Sequence, residues 1–241
     1  MAHQVRVVSV LVSEVFGPTI QGEGPSIGRP AAFLRVAACN LSCTWCDTAY
    51  TWDWQRFDKA EEVHKLEPAT VAELVMASLP YPRLLVISGG EPMLQQDALA
   101  NVVYCVREHD TFGDTEVEVE TAGTIPPITR FAQLVHRFNV SLKLQHSGNL
   151  IERRRRPGAI EALRDTGRAT FKFVVGRERD LEEVDELVDL YDLRDVVIMP
   201  LGTDSIELRT RMAALVDPVI ERGYRLTPRL HVDLWGNTRA H

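Results

Sequence analysis

The sequence predicts an α/β fold, a partial (β/α) barrel of about six parallel strands, on three observations. From residue 83 to residue 222, short β-branched runs alternate with stretches of helical apolar spacing, which implies right-handed crossovers between parallel strands. Counting Ala31–Val36 as the first, about six such units are present, too few for the eight that close a full barrel. Finally, residues of unusual character fall just beyond the strands, where parallel α/β folds gather their active sites. No repeat, low-complexity segment or linker divides the chain, so residues 1–241 read as one domain. Its 45% apolar and 25% charged composition is that of an ordinary globular protein with one substantial core.

In chain order, Val5–Val15 is rich in β-branched residues and reads as a strand or an extended arm. Gly17–Gly28 holds four glycines and two prolines and reads as a loop. Its Gly22, Glu23 and Gly24 either make a plain turn or bring backbone N–H groups to a polar ligand. Ala31–Val36 is a buried strand, in which Arg35 is awkward unless it lies on a wet face or meets a carboxylate ligand. Residues 48–67, polar and carrying Trp52 and Trp54, read as a lid-like insertion with little regular structure. Pro68–Leu79 is a short helix with Val71, Leu74, Val75 and Leu79 on one face. Strand Arg83–Ser88 and helix Met93–Glu108 follow, then strand Thr115–Glu120, helix Thr129–Phe138 and strand Val140–Leu144. A helix runs from Pro157, suited to a first turn, to Gly167. Strand Ala169–Val175, helix Leu181–Leu190, strand Val196–Met199 and helix Ser205–Arg222 complete the alternation, with Pro218 expected to kink or end the last helix. Tyr224–Trp235 reads as extended.

The chemistry concentrates in Cys39–Thr48. Three of the four cysteines lie here, spaced C-x3-C-x2-C. Thiolates this close cannot bridge one another without strain, but they can converge on a metal or an iron–sulfur cluster. Three ligands rather than four leave an open coordination position, which implies chemistry there. The plainer readings are a structural zinc module completed by a distant histidine, or three unrelated thiols. Cys105, near Leu99, Val102 and Val106 in a helical pattern, reads as an inert thiol. The histidines are scattered and none is assigned a catalytic role, although His146 falls near the expected mouth as a pocket wall.

The net charge of −7 argues against nucleic acid as the main ligand. The basic run Arg153–Arg156 lacks interleaved aromatics and reads as a solvated loop. No apolar run reaches the ~18–20 residues of a membrane span. The N-terminus lacks signal-peptide features, and the odd cysteine trio points to a reducing, cytoplasmic setting.

The cysteine spacing resembles the radical S-adenosylmethionine (SAM) superfamily. A narrower likeness rests on Gln21-Gly22-Glu23-Gly24, Cys46-Asp47-Thr48, Ser88-Gly89-Gly90-Glu91-Pro92, Glu120-Thr121-Ala122-Gly123-Thr124 and Leu230–Asn237. These elements resemble the 7-carboxy-7-deazaguanine synthase family, over nearly the whole chain. The resemblance implies that Cys39, Cys43 and Cys46 hold a [4Fe–4S] cluster whose fourth iron is chelated by SAM. It places Trp45, Asp47, Gly89, Gly90, Glu91, Glu120, Ser141 and Lys143 on the cofactor side. Gly89–Glu91 would meet the SAM amino group with a backbone edge and a carboxylate. Ser141 and Lys143 match a Ser-Pro-Lys element in which Leu142 here replaces the proline. Ile20, Gln21, Gly22, Arg35 and Ser88 fall on the substrate side, Arg35 pairing a substrate carboxylate through its fork. The Thr48 hydroxyl would touch Mg2+.

The implied reaction is a radical ring contraction of 6-carboxy-5,6,7,8-tetrahydropterin to 7-carboxy-7-deazaguanine with loss of ammonia, feeding 7-deazapurine pathways such as queuosine. The implied partners are that carboxypterin, an electron donor such as flavodoxin and a second copy in a homodimer, with neither nucleic acid nor membrane. Within the same superfamily, an activating enzyme that makes a glycyl radical on a protein remains the alternative.

Overall fold

The computed structural model describes residues 8–81 and 83–241. Its nine strands are β1 (Val10–Ile20), β2 (Pro30–Val36), β3 (His64–Leu66), β4 (Leu84–Gly89), β5 (Glu116–Thr121), β6 (Arg137–Val140), β7 (Ala169–Val175), β8 (Val196–Pro200) and β9 (Arg225–Leu226). They form one sheet in the order β3-β1-β2-β4-β5-β6-β7-β8-β9. Strand β2 and strands β4 to β9 are parallel; β1 runs antiparallel to both β2 and β3. No ladder joins β3 to β9 among the described residues, so the sheet is an open arc.

The helices are α1 (Lys59–Glu62), α2 (Pro68–Ser78), α3 (Gln96–Glu108), α4 (Thr129–Ala132), α5 (Ile151–Arg154), α6 (Pro157–Arg164), α7 (Asp180–Tyr191), α8 (Ser205–Glu221) and α9 (Leu230–Trp235). Pro68 and Pro157 open α2 and α6, where a missing N–H costs nothing. Asp204 caps α8 by accepting the N–H groups of Ile206 and Glu207.

Period-two alternation decides which residues reach the inside of the arc. Leu34, Leu85, Ile87, Val117, Val119, Phe138, Phe171, Phe173 and Ile198 belong to the main apolar core shared with the helices. Their neighbours Arg35, Ser88, Glu118, Glu120, Asn139, Thr170 and Lys172 have the opposite parity and face inward. Below them Ala31, Phe33, Leu84 and Val86 form a second apolar cluster that fills one end. Burying each large apolar side chain contributes about 1.5–3 kcal/mol. A one-residue slip would set Glu118 and Lys172 against the helices, so the register is strongly fixed.

Several boundaries differ from the sequence reading. Strand β1 runs through Gly17-Pro18 to Ile20, accommodating them with a register shift between Phe16 and Thr19. Val5–Val7 of the expected first strand lie outside the described residues. The insertion at 48–67 carries α1 and β3, and β3 adds to the sheet edge. The helix expected over Thr129–Phe138 stops at Ala132, because Arg137–Val140 is strand β6. Ser141 and Lys143 therefore lie just beyond their strand rather than within it. Helix α8 continues through Pro218 to Glu221. The segment read as extended from Tyr224 ends in α9.

Candidate active site

The inward face and the loops at the carboxyl ends of the strands surround a cavity of about 900 Å3, a size that suits a small-molecule ligand and cofactor. Cys39, Cys43 and Cys46 line one wall and are each half-buried. Their loop is pinned at several points: Ala38 N–H donates to Thr51 O at 2.8 Å and Thr44 N–H to Ser147 O at 3.0 Å. Each sulfur also has an N–H donor. Leu41 N–H points at Cys39 Sγ (3.4 Å), Asn149 Nδ2 at Cys43 Sγ (3.2 Å) and Trp52 Nε1 at Cys46 Sγ (3.4 Å). Burial pushes the Cys39 thiol up to about 12, and raises Cys43 against the opposing charge of Lys143. Three thiols on one wall, each donated to, fit the cysteine ligands of an iron–sulfur cluster, whose sulfurs accept such bonds. Cys105 packs against the main core from α3, away from this wall, so no fourth thiol joins them.

Beside the thiols stand Trp45, Asp47 and Thr48. The Trp45 indole N–H donates to His146 Nδ1 at 3.0 Å, so the ring proton sits on Nε2, 3.0 Å from Val174 O. His146 thus holds Trp45 from behind instead of forming the wall itself. Lys143 lies 5.5 Å from the centre of the Trp45 ring and donates to Ser141 Oγ at 2.9 Å. No carboxylate lies within ion-pair distance of Lys143 among the described residues, which leaves its charge to a ligand.

Gly89 and Gly90 line the opposite side of the cysteine loop. A Cβ on Gly90 would come within 2.0 Å of Ala38 O, and one on Gly89 within 2.1 Å of Val36 O. The N–H groups of Gly90 and Glu91 are bonded to Val36 O and Ala38 O, so these residues can offer a ligand only carbonyl oxygen. The Glu91 carboxylate, expected on the cofactor side, is bonded within the protein. Glu91 is 0% exposed and accepts from Thr121 Oγ1 (2.7 Å), Ala122 N–H (2.8 Å) and Met93 N–H (3.1 Å). Burial raises its carboxyl despite those three donors. These bonds join the ends of β4 and β5.

Across the cavity, Ile20, Gln21 and Gly22 contribute the end of β1 and the loop after it. Arg35 pairs through Nε with Glu14 at 2.7 Å, leaving its terminal nitrogens as the part that can meet a ligand. Ser88 Oγ donates to Glu120 Oε2 at 2.8 Å, and Gln21 Nε2 to Glu120 Oε1 at 3.3 Å.

The sequence reading missed the charged floor. Lys172 Nζ meets Glu23 at 2.5 Å, and Arg229 donates to both Glu23 and Asp47. Burial opposes the charge on Glu23, yet Lys172 and Arg229 hold its carboxyl well below the ordinary value. The alternation Thr170-Phe171-Lys172-Phe173, read with the period of a strand, was the available signal for Lys172. Nothing local marks Arg229, which reaches the floor only because α9 folds back onto Gly22. Arg239 crosses the mouth, pairing with Glu14 and Glu62 and lying 3.9 Å over Tyr50.

Residues 34–191 match the Radical SAM superfamily model. An open parallel barrel with a three-cysteine loop at its mouth defines a radical SAM enzyme, the class whose cofactors are a [4Fe–4S] cluster and SAM. The chain is 34% identical to a 7-carboxy-7-deazaguanine synthase of Pyrobaculum aerophilum, over 96% of this chain and 97% of that protein. It is 35% identical to the synthase of Hyperthermus butylicus, over 92% and 91% respectively. Crystalline QueE from Escherichia coli superposes with a TM-score of 0.65 at 25% identity, covering 92% of this chain and 95% of that one. The chain belongs to the 7-carboxy-7-deazaguanine synthase family.

Proposed function

We propose that this chain converts 6-carboxy-5,6,7,8-tetrahydropterin to 7-carboxy-7-deazaguanine, releasing ammonia. The observation that carries this reading is the sharing of one cavity by the three thiols and the Gln21-Gly22 wall with Arg35 and Ser88. When bound, the cluster and SAM together supply a radical able to take hydrogen from carbon. The protein's own groups bind and orient. Lys143 offers an ammonium to the carboxylate of SAM, and the Gly89 and Gly90 carbonyls suit its amino group. The terminal nitrogens of Arg35 suit the substrate carboxylate. Trp45 on one side and the α9 segment on the other keep water from the enclosed region.

Thr48 lines the same cavity and supports a Mg2+ contact, since magnesium accepts few protein oxygens and retains water or substrate oxygens. Asp47 is committed to Arg229, so Thr48 would be the protein's contribution. The reading also includes a one-electron donor of flavodoxin type, a homodimer and a cytoplasmic setting. Anaerobically reconstituted protein, given SAM, reductant and the carboxypterin, should release 7-carboxy-7-deazaguanine, followed by mass. SAM cleavage with no change in the pterin would reject the substrate.

A further inference from the structure

Arg229 is 8% exposed, and its guanidinium bonds in three directions besides lying 3.4 Å from His231 Nε2. Nε donates to Glu23 Oε1 at 2.9 Å, Nη1 to Gly202 O at 2.6 Å, and Nη2 to the Asp47 carboxylate. Glu23 belongs to the loop that carries Gln21 and Gly22. Asp47 lies between Cys46 and Thr48. Gly202 follows β8. One rigid, planar group therefore joins the thiol-bearing loop, the opposite wall and the end of a strand. The backbone reinforces this join: Leu230 N–H donates to Gly22 O at 2.8 Å, and His231 packs so closely on Gly22 that a Cβ there would fall 2.1 Å from its Nδ1. The two carboxylates approach the guanidinium through different nitrogens, an arrangement that an ammonium, as a point charge, cannot reproduce.

We propose that Arg229 is a positioning residue that holds the cysteine loop, through Asp47, in fixed relation to the substrate wall, through Glu23. The proposal rests on the function given above. It makes radical generation and substrate placement depend on one shared tie, so that loosening the tie separates them.

The test compares wild type with R229Q, R229K, D47N and the double variant R229Q/D47N. Carboxypterin binding is measured on cluster-free protein, and 5′-deoxyadenosine released per product formed is measured on the reconstituted enzyme. R229Q should bind the pterin about tenfold more weakly, equivalent to ~1.4 kcal/mol. It should still cleave SAM, with about tenfold more 5′-deoxyadenosine per product. R229K, which keeps the charge and loses the fork, should show the same excess with normal iron content. The effect of R229Q added to D47N should be smaller than in wild type, because both act on one contact. An unchanged ratio in R229Q, full recovery in R229K, or additive effects would each overturn the positioning role. Should R229Q fail to fold, R229K and D47N carry the comparison. Wild-type protein that leaves the carboxypterin unconverted rejects the function, whereas wild-type turnover with unaltered ratios in the variants rejects the tie alone.

Discussion

Arg154 Nη1 lies 2.6 Å from Glu183 Oε1, and the arginine is only 5% exposed. The basic run is therefore not a solvated loop. Arg154 also donates to Lys143 O at 2.9 Å, while Glu183 accepts the Gln145 N–H at 2.7 Å and the guanidinium of Arg155. Arg153 reaches back to Asn40 O in the cysteine loop. The run braces the Ser141–Gln145 segment from outside. Arg154→Ala should lower stability by about 1–3 kcal/mol, since Lys143 O loses its guanidinium donor while Glu183 keeps only Arg155 and the Gln145 N–H. Arg156→Ala, at an exposed position, should stay within about 0.5 kcal/mol. Urea midpoints for the two variants check this, and equal midpoints would restore the solvated-loop picture.

Replacing Cys39, Cys43 or Cys46 with Ala removes one of three sulfurs from a single wall. Each variant should lose SAM cleavage and most of its iron after anaerobic reconstitution, against about four irons per chain in the unaltered protein. Cys105→Ala, on the outer side of the sheet, should retain both. Iron content and methionine release separate the three wall variants from Cys105→Ala.

The Glu23–Lys172 pair sets a pH window for stability. Burial disfavours charge on both groups, but Lys172 with Arg229 lowers Glu23 from 4.5, and Glu23 with Glu120 raises Lys172 from 10.5. The Glu23 contribution is complete above about pH 4.5 and is lost as pH falls through its depressed value. The Lys172 contribution is complete below about pH 10.5 and is lost as pH rises through its raised value. Glu23→Gln should cost about 3–5 kcal/mol near neutrality and flatten the acid limb of a Tm-against-pH curve. Glu23→Gln combined with Lys172→Met should cost less than the two singly summed.

Thr48 follows Asp47 in the cysteine loop, with Oγ1 3.6 Å from Cys46 Sγ. If Mg2+ takes that hydroxyl, Thr48→Ala should keep its iron and cleave SAM while needing much more Mg2+ to form product. Product yield titrated against Mg2+, with a chelator control, is the measurement. Superimposable curves for the two proteins would remove both residue and metal from the mechanism.

Much of this was legible because the informative signals are local. The cysteine spacing and the Gly89-Gly90 pair each sit within a few residues and fall at the cavity, and each strand or helix of the alternation is marked by its own local period. Arg35 was visible as an anomaly, and its inward parity beside Ser88 resolves it. The internal bonding of Glu91 was not legible, because its three donors come from residues near and far in sequence. The early end of the helix read over Thr129–Phe138 and the helix at Leu230 were missed for a similar reason. There, tertiary pairing of β6 and docking against Gly22 outweigh local apolar spacing.

The close seating of Gly89 and Gly90 on Val36 and Ala38 also constrains how this scaffold can diversify. Even a methyl group at either position would push β4 away from β2 and carry Cys39 with it, so that side of the mouth has no freedom to vary. A change of substrate is more readily written on the far rim, in the Gln21 loop and the α9 segment, where the side chain of His231 rather than main chain sets the clearance at Gly22.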